Sequence, residues 1–347
     1  MTTIVELKYS KKAIGRAGDV LSSDTNNILS EEYNDALEKL SNWRASHVYP
    51  LQIIQQLLKK RTLKIDRQAL VAQRLKRTPS IINKLTRYPS MKLHRLQDIG
   101  GCRAIVSNID KVYKLRNNIT KKFSSHSLVK ENDYIKNIKE SGYRGIHLIY
   151  KFHSKNNTLF NNHLIEIQLR TKLQHSWATS VEILGTYYNE ALKSSQGSQD
   201  VLDFFKKVSL LFSYSEDNKL NLSQQSLNEL KGSILTDIDK LDLITKLKAF
   251  SVTTDSISQG DKKEGYSLLI LDTNEMVVKI RYFKTNEMEM AIQEYLKLER
   301  ESGNMESDNI VLVSTQSVHN LKKAYSNYFA DSKVFIKNLE ELLDKEF

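Results

Sequence analysis

The sequence predicts an α+β fold: a first domain with a central sheet among helices, then a small C-terminal β-β-α-β-α domain. Three observations predict it. Short apolar runs, CRAIV, GIHLIYKF and NHLIEIQLR, are bounded by Gly, Asn and Ser and read as strands. The stretches around them place apolar residues at steps of three and four, the helix period. After residue 260 two β-rich runs, YSLLILD and EMVVKIRYF, precede a helix, the strand NIVLVST and a terminal helical stretch.

Taken in order, Ser30 to Leu63 reads as one helix, with Tyr33, Leu37, Leu40 and Trp43 on one stripe and Ser30 and Glu32 as start signals. Ile65 to Tyr88 reads as mostly helical, broken by Pro79. His94 to Val106 passes from a helix end through Gly100 and Gly101 into a strand. Asp110 to Lys122 is a short helix, and SHSLVKENDYIKNIKESG reads as a polar loop. The strands GIHLIYKF and NHLIEIQLR are joined by the turn SKNNT. Thr171 to Leu192, Asp200 to Tyr214 and Ser223 to Phe250 read as helices. Composition changes across SVTTDSISQGDKKEG. The expected boundaries are 1–222 for the first domain, 223–260 for a helical connector and 261–347 for the second domain.

Of 347 residues, 52 are basic and 41 acidic, a net charge of +11. The surplus is concentrated: Lys59 to Lys122 holds 18 Lys/Arg against three Asp. Such a block attracts polyanions, nucleotides or nucleic acid, or forms a solvated basic face. The single cysteine, Cys102, excludes an internal disulfide framework and a Cys-based zinc cluster. No run approaches the roughly 18 apolar residues of a membrane span, and MTTIVELKYSKKAIG has no apolar leader core. The expectation is a soluble cytoplasmic protein with no membrane partner.

Four stretches carry chemistry. RLKRTPSIINK offers Arg74, Lys76, Ser80 and Lys84, whose spacing does not fit one helix face but suits convergence on a long anion. In QDIGGCR, Asp98 precedes a Gly-Gly turn and Arg103 opens a strand; a carboxylate there suits Mg²⁺, or merely serves the turn. In GYRGIH, Tyr143 is a stacking platform for a base or a core residue, and Arg144 and His147 follow it. In IEIQLR, alternation turns Glu166, Gln168 and Arg170 to one face of the strand. A buried Glu without a partner is costly, so that face is expected to line a cleft. Two carboxylates, a cationic cradle and an aromatic together suggest phosphoryl or pyrophosphoryl transfer.

These motifs, in this order over roughly Ser30 to Leu192, resemble the synthetase domain of RelA/SpoT proteins. The resemblance implies a nucleotidyltransferase-like mixed sheet flanked by helices, and transfer of the β,γ-pyrophosphate of ATP to a ribose 3′-hydroxyl. It implies that Arg74 and Arg103 sandwich adenine, that Lys76, Ser80 and Lys84 hold the phosphates, and that Asp98 binds Mg²⁺. Glu166 would assist the metal or act as general base, Tyr143 would stack on the acceptor base, and Arg144, His147 and Gln168 would line the acceptor side. Two positions depart from the family pattern: Gly145 where Ser is usual, and Ile138 where Pro is usual. No His-Asp dipeptide occurs, so the family's hydrolase activity is not expected.

The appended domain and its Tyr325-x-x-Tyr328 resemble the CapRel branch, toxic small alarmone synthetases fused to a C-terminal pseudo-zinc-finger antitoxin. That resemblance implies autoinhibition through Tyr325 and Tyr328, release by a phage capsid or other phage protein, and tRNA, pyrophosphorylated at its 3′-CCA end, as acceptor. A monomer is expected, the appended domain opposing the tetramers of many relatives. The alternatives are a (p)ppGpp synthetase using GDP or GTP, and a catalytically dead RNA-binding module.

Overall fold

The computed structural model describes residues 5–23, 30–123, 125–187, 199–217, 223–244, 247, 265–272, 277–301, 310–315 and 332–344. Its helices are α1 (Lys11–Ser23), α2 (Glu31–Ser46), α3 (Val48–Ile65), α4 (Thr78–Arg87), α5 (Ile109–Lys122), α6 (Lys172–Tyr187), α7 (Gln199–Glu216), α8 (Gln224–Leu241), α9 (Met288–Glu301) and α10 (Lys333–Asp344). Its strands are β1 (Leu70–Leu75), β2 (Gly100–Val106), β3 (Ser127–Asp133), β4 (Ile146–Lys151), β5 (Leu164–Thr171), β6 (Gly265–Asp272), β7 (Val277–Lys284) and β8 (Ile310–Thr315). The expected α+β class holds, with a mixed sheet: β2 and β5 run parallel and every other neighbouring pair is antiparallel.

Several elements differ from expectation for local reasons. The helix read from Ser30 to Leu63 is two helices meeting at His47. Pro50 lacks the N–H that would bond the Ser46 carbonyl, so a new helix starts with Pro50 in its first turn. Ser30 Oγ caps α2 by accepting from the Tyr33 N–H at 3.1 Å. The stretch Ile65–Tyr88 is not mostly helical. It contains β1, and Pro79 opens α4 instead of breaking a helix, because a missing N–H costs nothing in a first turn. The predicted polar loop contains β3, an edge strand pairing only with β4, with Leu128 and Val129 exposed. A further helix, α1, packs on α2 and α4 through Ile14, Ala17 and Leu21. Gly18 permits a close approach to the turn Leu93–Arg95: a Cβ there would lie 2.6 Å from Leu93 Cβ.

The strand order is β3-β4-β5-β2-β1-β8-β6-β7. The C-terminal β-β-α-β pattern is present, and its strands extend the sheet of the first domain through β8 on β1, pairing Gln73 with Ser314 and Arg74 with Val313. The helix α10 packs on α6 and α7, Phe335 meeting Phe205 and Phe212 at ring distances of 5.9 and 5.7 Å. Alternation sorts the sheet's two faces. Val71, Cys102, Ile167 and Leu169 join the main core with Leu51, Ile54 and Leu58 of α3. Ala72, Arg74, Gly101, Arg103, Glu166 and Gln168 fall on the other face. No helix among the described residues is long and apolar enough to cross a membrane.

Candidate active site

Register brings the polar face together. Arg74 lies opposite Gly101, and Gly101 opposite Glu166; one step along, Ala72, Arg103 and Gln168 form the next row. The glycine leaves the floor low between Arg74 and Glu166. With Lys76 and Asp98 at the strand mouths, these residues line one cleft. The cradle that helix periodicity could not reconcile is resolved by β1: Arg74 is on the strand, Lys76 follows it, and Ser80 and Lys84 are one turn apart on α4. α4 begins two residues after Lys76, and the first turn of a helix, with its free N–H groups and the positive end of its dipole, is a favourable setting for phosphate.

Asp98 Oδ2 receives Lys84 Nζ at 2.9 Å and Lys76 Nζ at 3.2 Å. Burial alone would raise the Asp98 pKa; the two ammonium groups outweigh it and hold the carboxyl below its usual range. Burial lowers the Lys76 pKa, against the pull of Asp98. Asp98 Oδ1 is buried and has no hydrogen-bond partner. An unsatisfied carboxylate oxygen close to a second carboxylate suits a hard divalent cation. Among the described residues no third His, Cys, Asp or Glu joins Asp98 and Glu166, so Mg²⁺ would take its other ligands from water and phosphate, its usual habit.

Glu166 is held at both oxygens. His147 Nδ1 lies 2.8 Å from Oε1, and Gln168 Nε2 donates to Oε2 at 2.7 Å. Burial would raise its pKa, but His147 facing it and these hydrogen bonds bring it down to about 2. It is a carboxylate at any physiological pH.

The predicted acceptor residues divide. His147 and Gln168 reach Glu166. Tyr143 is not an open platform: it is 8% exposed, its hydroxyl lies 2.5 Å from His147 Nε2, and Arg170 and Lys139 cations sit 4.9 and 5.3 Å from its ring centre. Burial raises its pKa, with Arg170 opposing. Arg144 is also withdrawn, buried in an ion pair with Glu216 of α7 at 2.7 Å. Thr171 and Gln174 bond the same carboxylate, so Arg144 ties the loop before β4 to α6 and α7. Burial raises the Glu216 pKa against those partners. Tyr325 and Tyr328 lie outside the described residues.

Three residues were not assigned from the sequence. Lys139 sits 4.3 Å from the Tyr134 ring centre, and burial lowers its pKa while Glu166 draws it up. Arg44 is wholly buried and donates to the Lys76 carbonyl at 2.9 Å, to Thr78 Oγ1 at 2.7 Å and to the Tyr295 hydroxyl of α9. Arg170 anchors the Glu166 network described below. Arg170 carries a sequence signal, since it shares the strand face of Glu166 and Gln168; Arg44 carries none.

Comparison with known proteins places this geometry. Residues 73–191 match the family model described as the region found in RelA/SpoT proteins. GTP pyrophosphokinase YjbM of Bacillus subtilis (strain 168) is 31% identical over 121 residues, 34% of this chain and 57% of the relative. The chain thus spans just over half of that relative's length. GTP pyrophosphokinase YwaC of the same organism is 29% identical over 158 residues, 44% of this chain and 72% of the relative. The crystal structure of small alarmone synthetase 1 from Bacillus subtilis bound to its product pppGpp aligns at 24% identity and a TM-score of 0.42, covering 56% of this chain and 98% of that one. The likeness to the region found in RelA/SpoT proteins thus spans residues 73–191, a stretch set among further helices and strands.

Proposed function

We propose that this chain is an ATP pyrophosphokinase acting on a ribose 3′-hydroxyl. The observation that carries the reading is the placing of Asp98, just before β2, and Glu166, on the neighbouring β5, in one cleft with Lys76 and Lys84 on the Asp98 carboxylate and its Oδ1 unsatisfied. In this reading Arg74 and Arg103 flank adenine, and Lys76, Ser80 and Lys84 hold the phosphates. Asp98 and Glu166 would hold Mg²⁺, which when bound supplies charge neutralisation on the transferring group. The bond from the acceptor O3′ to the β-phosphorus forms as the bond from that phosphorus to the oxygen of AMP breaks, and the hydroxyl proton passes to Glu166 or to water beside it, and from there to solvent. Glu166 would thus hold the cation, orient the hydroxyl and face its proton.

For the acceptor we propose the 3′-CCA end of tRNA, the protein blocking translation as a defence against phage until its C-terminal segment restrains it. The concentration of cations between Lys59 and Lys122 supports a polyanionic acceptor. Gly145, at φ +150°, gives the acceptor loop a backbone that Ser would strain. Contacts of β8 with β1, and of Tyr295 with Arg44, put the C-terminal segment directly on the donor-binding strand and loop, which supports restraint by that segment. Relief by a phage protein is part of the same proposal. A guanine nucleotide is the second reading, favoured by the names of the two relatives.

The test offers ATP labelled in its terminal phosphates, with Mg²⁺, to the full chain and to a chain ended after residue 250. Deacylated tRNA and GDP or GTP are supplied side by side. Label on tRNA supports the first acceptor, and label on guanine nucleotide alone replaces it with the second. Transfer undiminished in Asp98→Asn and Glu166→Gln would overturn the site.

A further inference from the structure

We propose that Arg170 is the positioning residue of this site: it fixes the direction of two hydrogen-bond chains that end on the two oxygens of Glu166. Its functional consequence rests on the pyrophosphokinase reading; its structural content does not.

The first chain starts from the guanidinium, which can only donate. Arg170 donates to the Tyr143 hydroxyl oxygen twice, from Nε at 3.1 Å and from Nη2 at 2.8 Å. With its lone pairs engaged by a guanidinium, that oxygen points its one hydrogen away, and His147 Nε2 lies 2.5 Å off. Nε2 therefore accepts, and the imidazole carries its hydrogen on Nδ1, which lies 2.8 Å from Glu166 Oε1.

The second chain runs through Gln168. Arg170 Nη2 donates to Gln168 Oε1 at 2.9 Å, and Arg103 Nε reaches the same oxygen at 3.4 Å. This fixes which end of the amide is oxygen, so the NH₂ end faces Glu166 Oε2 at 2.7 Å. One guanidinium thus decides the donor facing each oxygen of the carboxylate. Because Arg170 is itself buried, does not line the cleft and reaches Glu166 through Gln168 and through Tyr143 and His147, it acts through its neighbours.

The test uses the full chain labelled with ¹⁵N-histidine, His147 being assigned by loss of its signals in His147→Gln. The wild type is expected to show the Nδ1–H tautomer. Arg170→Gln, and independently Tyr143→Phe, are expected to replace it with a mixture of tautomers. Turnover of Arg170→Gln on the acceptor that takes label should fall about 10- to 100-fold, the usual range for a residue supporting a ligand from behind, while the KM for ATP changes less than about threefold. Arg170→Lys, which can reach the hydroxyl but not both acceptors, should recover part of that loss. A wild-type Nε2–H tautomer, or an Nδ1–H tautomer surviving both substitutions, overturns the proposal. If the wild type transfers no label to any acceptor, the functional reading falls, and the tautomer measurement still decides the role of Arg170.

Discussion

Replacing Tyr295 by Phe removes one oxygen and leaves the ring. That oxygen accepts from Arg44, a guanidinium with no solvent exposure, and the Tyr295 ring centre lies 5.2 Å from the cation. The cation–ring attraction survives the change, so the loss is a hydrogen bond to a buried charge, about 1.5–3 kcal/mol. The cost falls on the attachment of α9, because Arg44 keeps its bonds to the Lys76 carbonyl and to Thr78. Amides of residues 288–301 and 310–315 that exchange by release of this unit should then lose protection by roughly ten- to a hundredfold, since 1.4 kcal/mol is a factor of ten. Hydrogen exchange read by mass spectrometry resolves those peptides from α5 and β4, which should not change. Equal exchange in wild type and variant across both stretches would refute the claim that this contact holds the C-terminal segment to the donor side. If restraint operates as proposed, the same variant should also transfer pyrophosphate faster than the wild type.

Gly142 has φ +84°, and a Cβ there would meet Ser209 Cβ at 3.1 Å and the ring of Trp177 at 3.2 Å. Gly142→Ala should therefore cost about 1–3 kcal/mol, read as a lowered denaturant midpoint. His163 is buried and its pKa is lowered to about 4, chiefly by burial. The folded state resists a proton that the unfolded chain accepts near 6.5, so stability is full above that pH. It should fall by on the order of 3 kcal/mol as the pH drops to about 4, and His163→Gln should flatten that stretch of a stability-against-pH curve. Asp98→Asn should lower transfer by at least a hundredfold, as expected when a charge-stabilising group is lost, and should lower the melting temperature, because Lys76 and Lys84 lose their shared carboxylate.

The readable parts of the fold were those where one residue pattern answers to one environment. β2, β4 and β5 lie in the middle of the sheet, and their apolar runs announced them. β1 is equally central, yet apart from Val71 the stretch Leu70–Leu75 is built of Leu, Ala, Gln and Arg, good helix formers whose pairing with β2 is a long-range matter. β3 sits at the edge with most of its residues in water, so alternation had nothing to record. In the site, residue types and spacing pointed to the cationic residues and the carboxylates that meet in the cleft, because their charge has a cost unless it has a use. The same pattern did not say that Tyr143 and Arg144 would turn inward, since their partners Arg170 and Glu216 come from β5 and α7. Arg44 carried no signal: its importance lies in the carbonyl and hydroxyls that folding brings to it.

The junction of β8 with β1 has a practical side. A sheet edge offers unpaired N–H and C=O groups to any other strand, and proteins keep such edges short, charged or covered. In this chain β8 covers β1 at Gln73 and Arg74, the second of which turns its side chain into the cleft. A chain ended after residue 250 therefore uncovers a sheet edge in the act of uncovering a site. Such a protein is expected to self-associate through Leu70–Leu75 with rising concentration, and adenine nucleotide bound against Arg74 should slow that association. Light scattering with and without ATP thus reads the donor site through the solubility of the molecule.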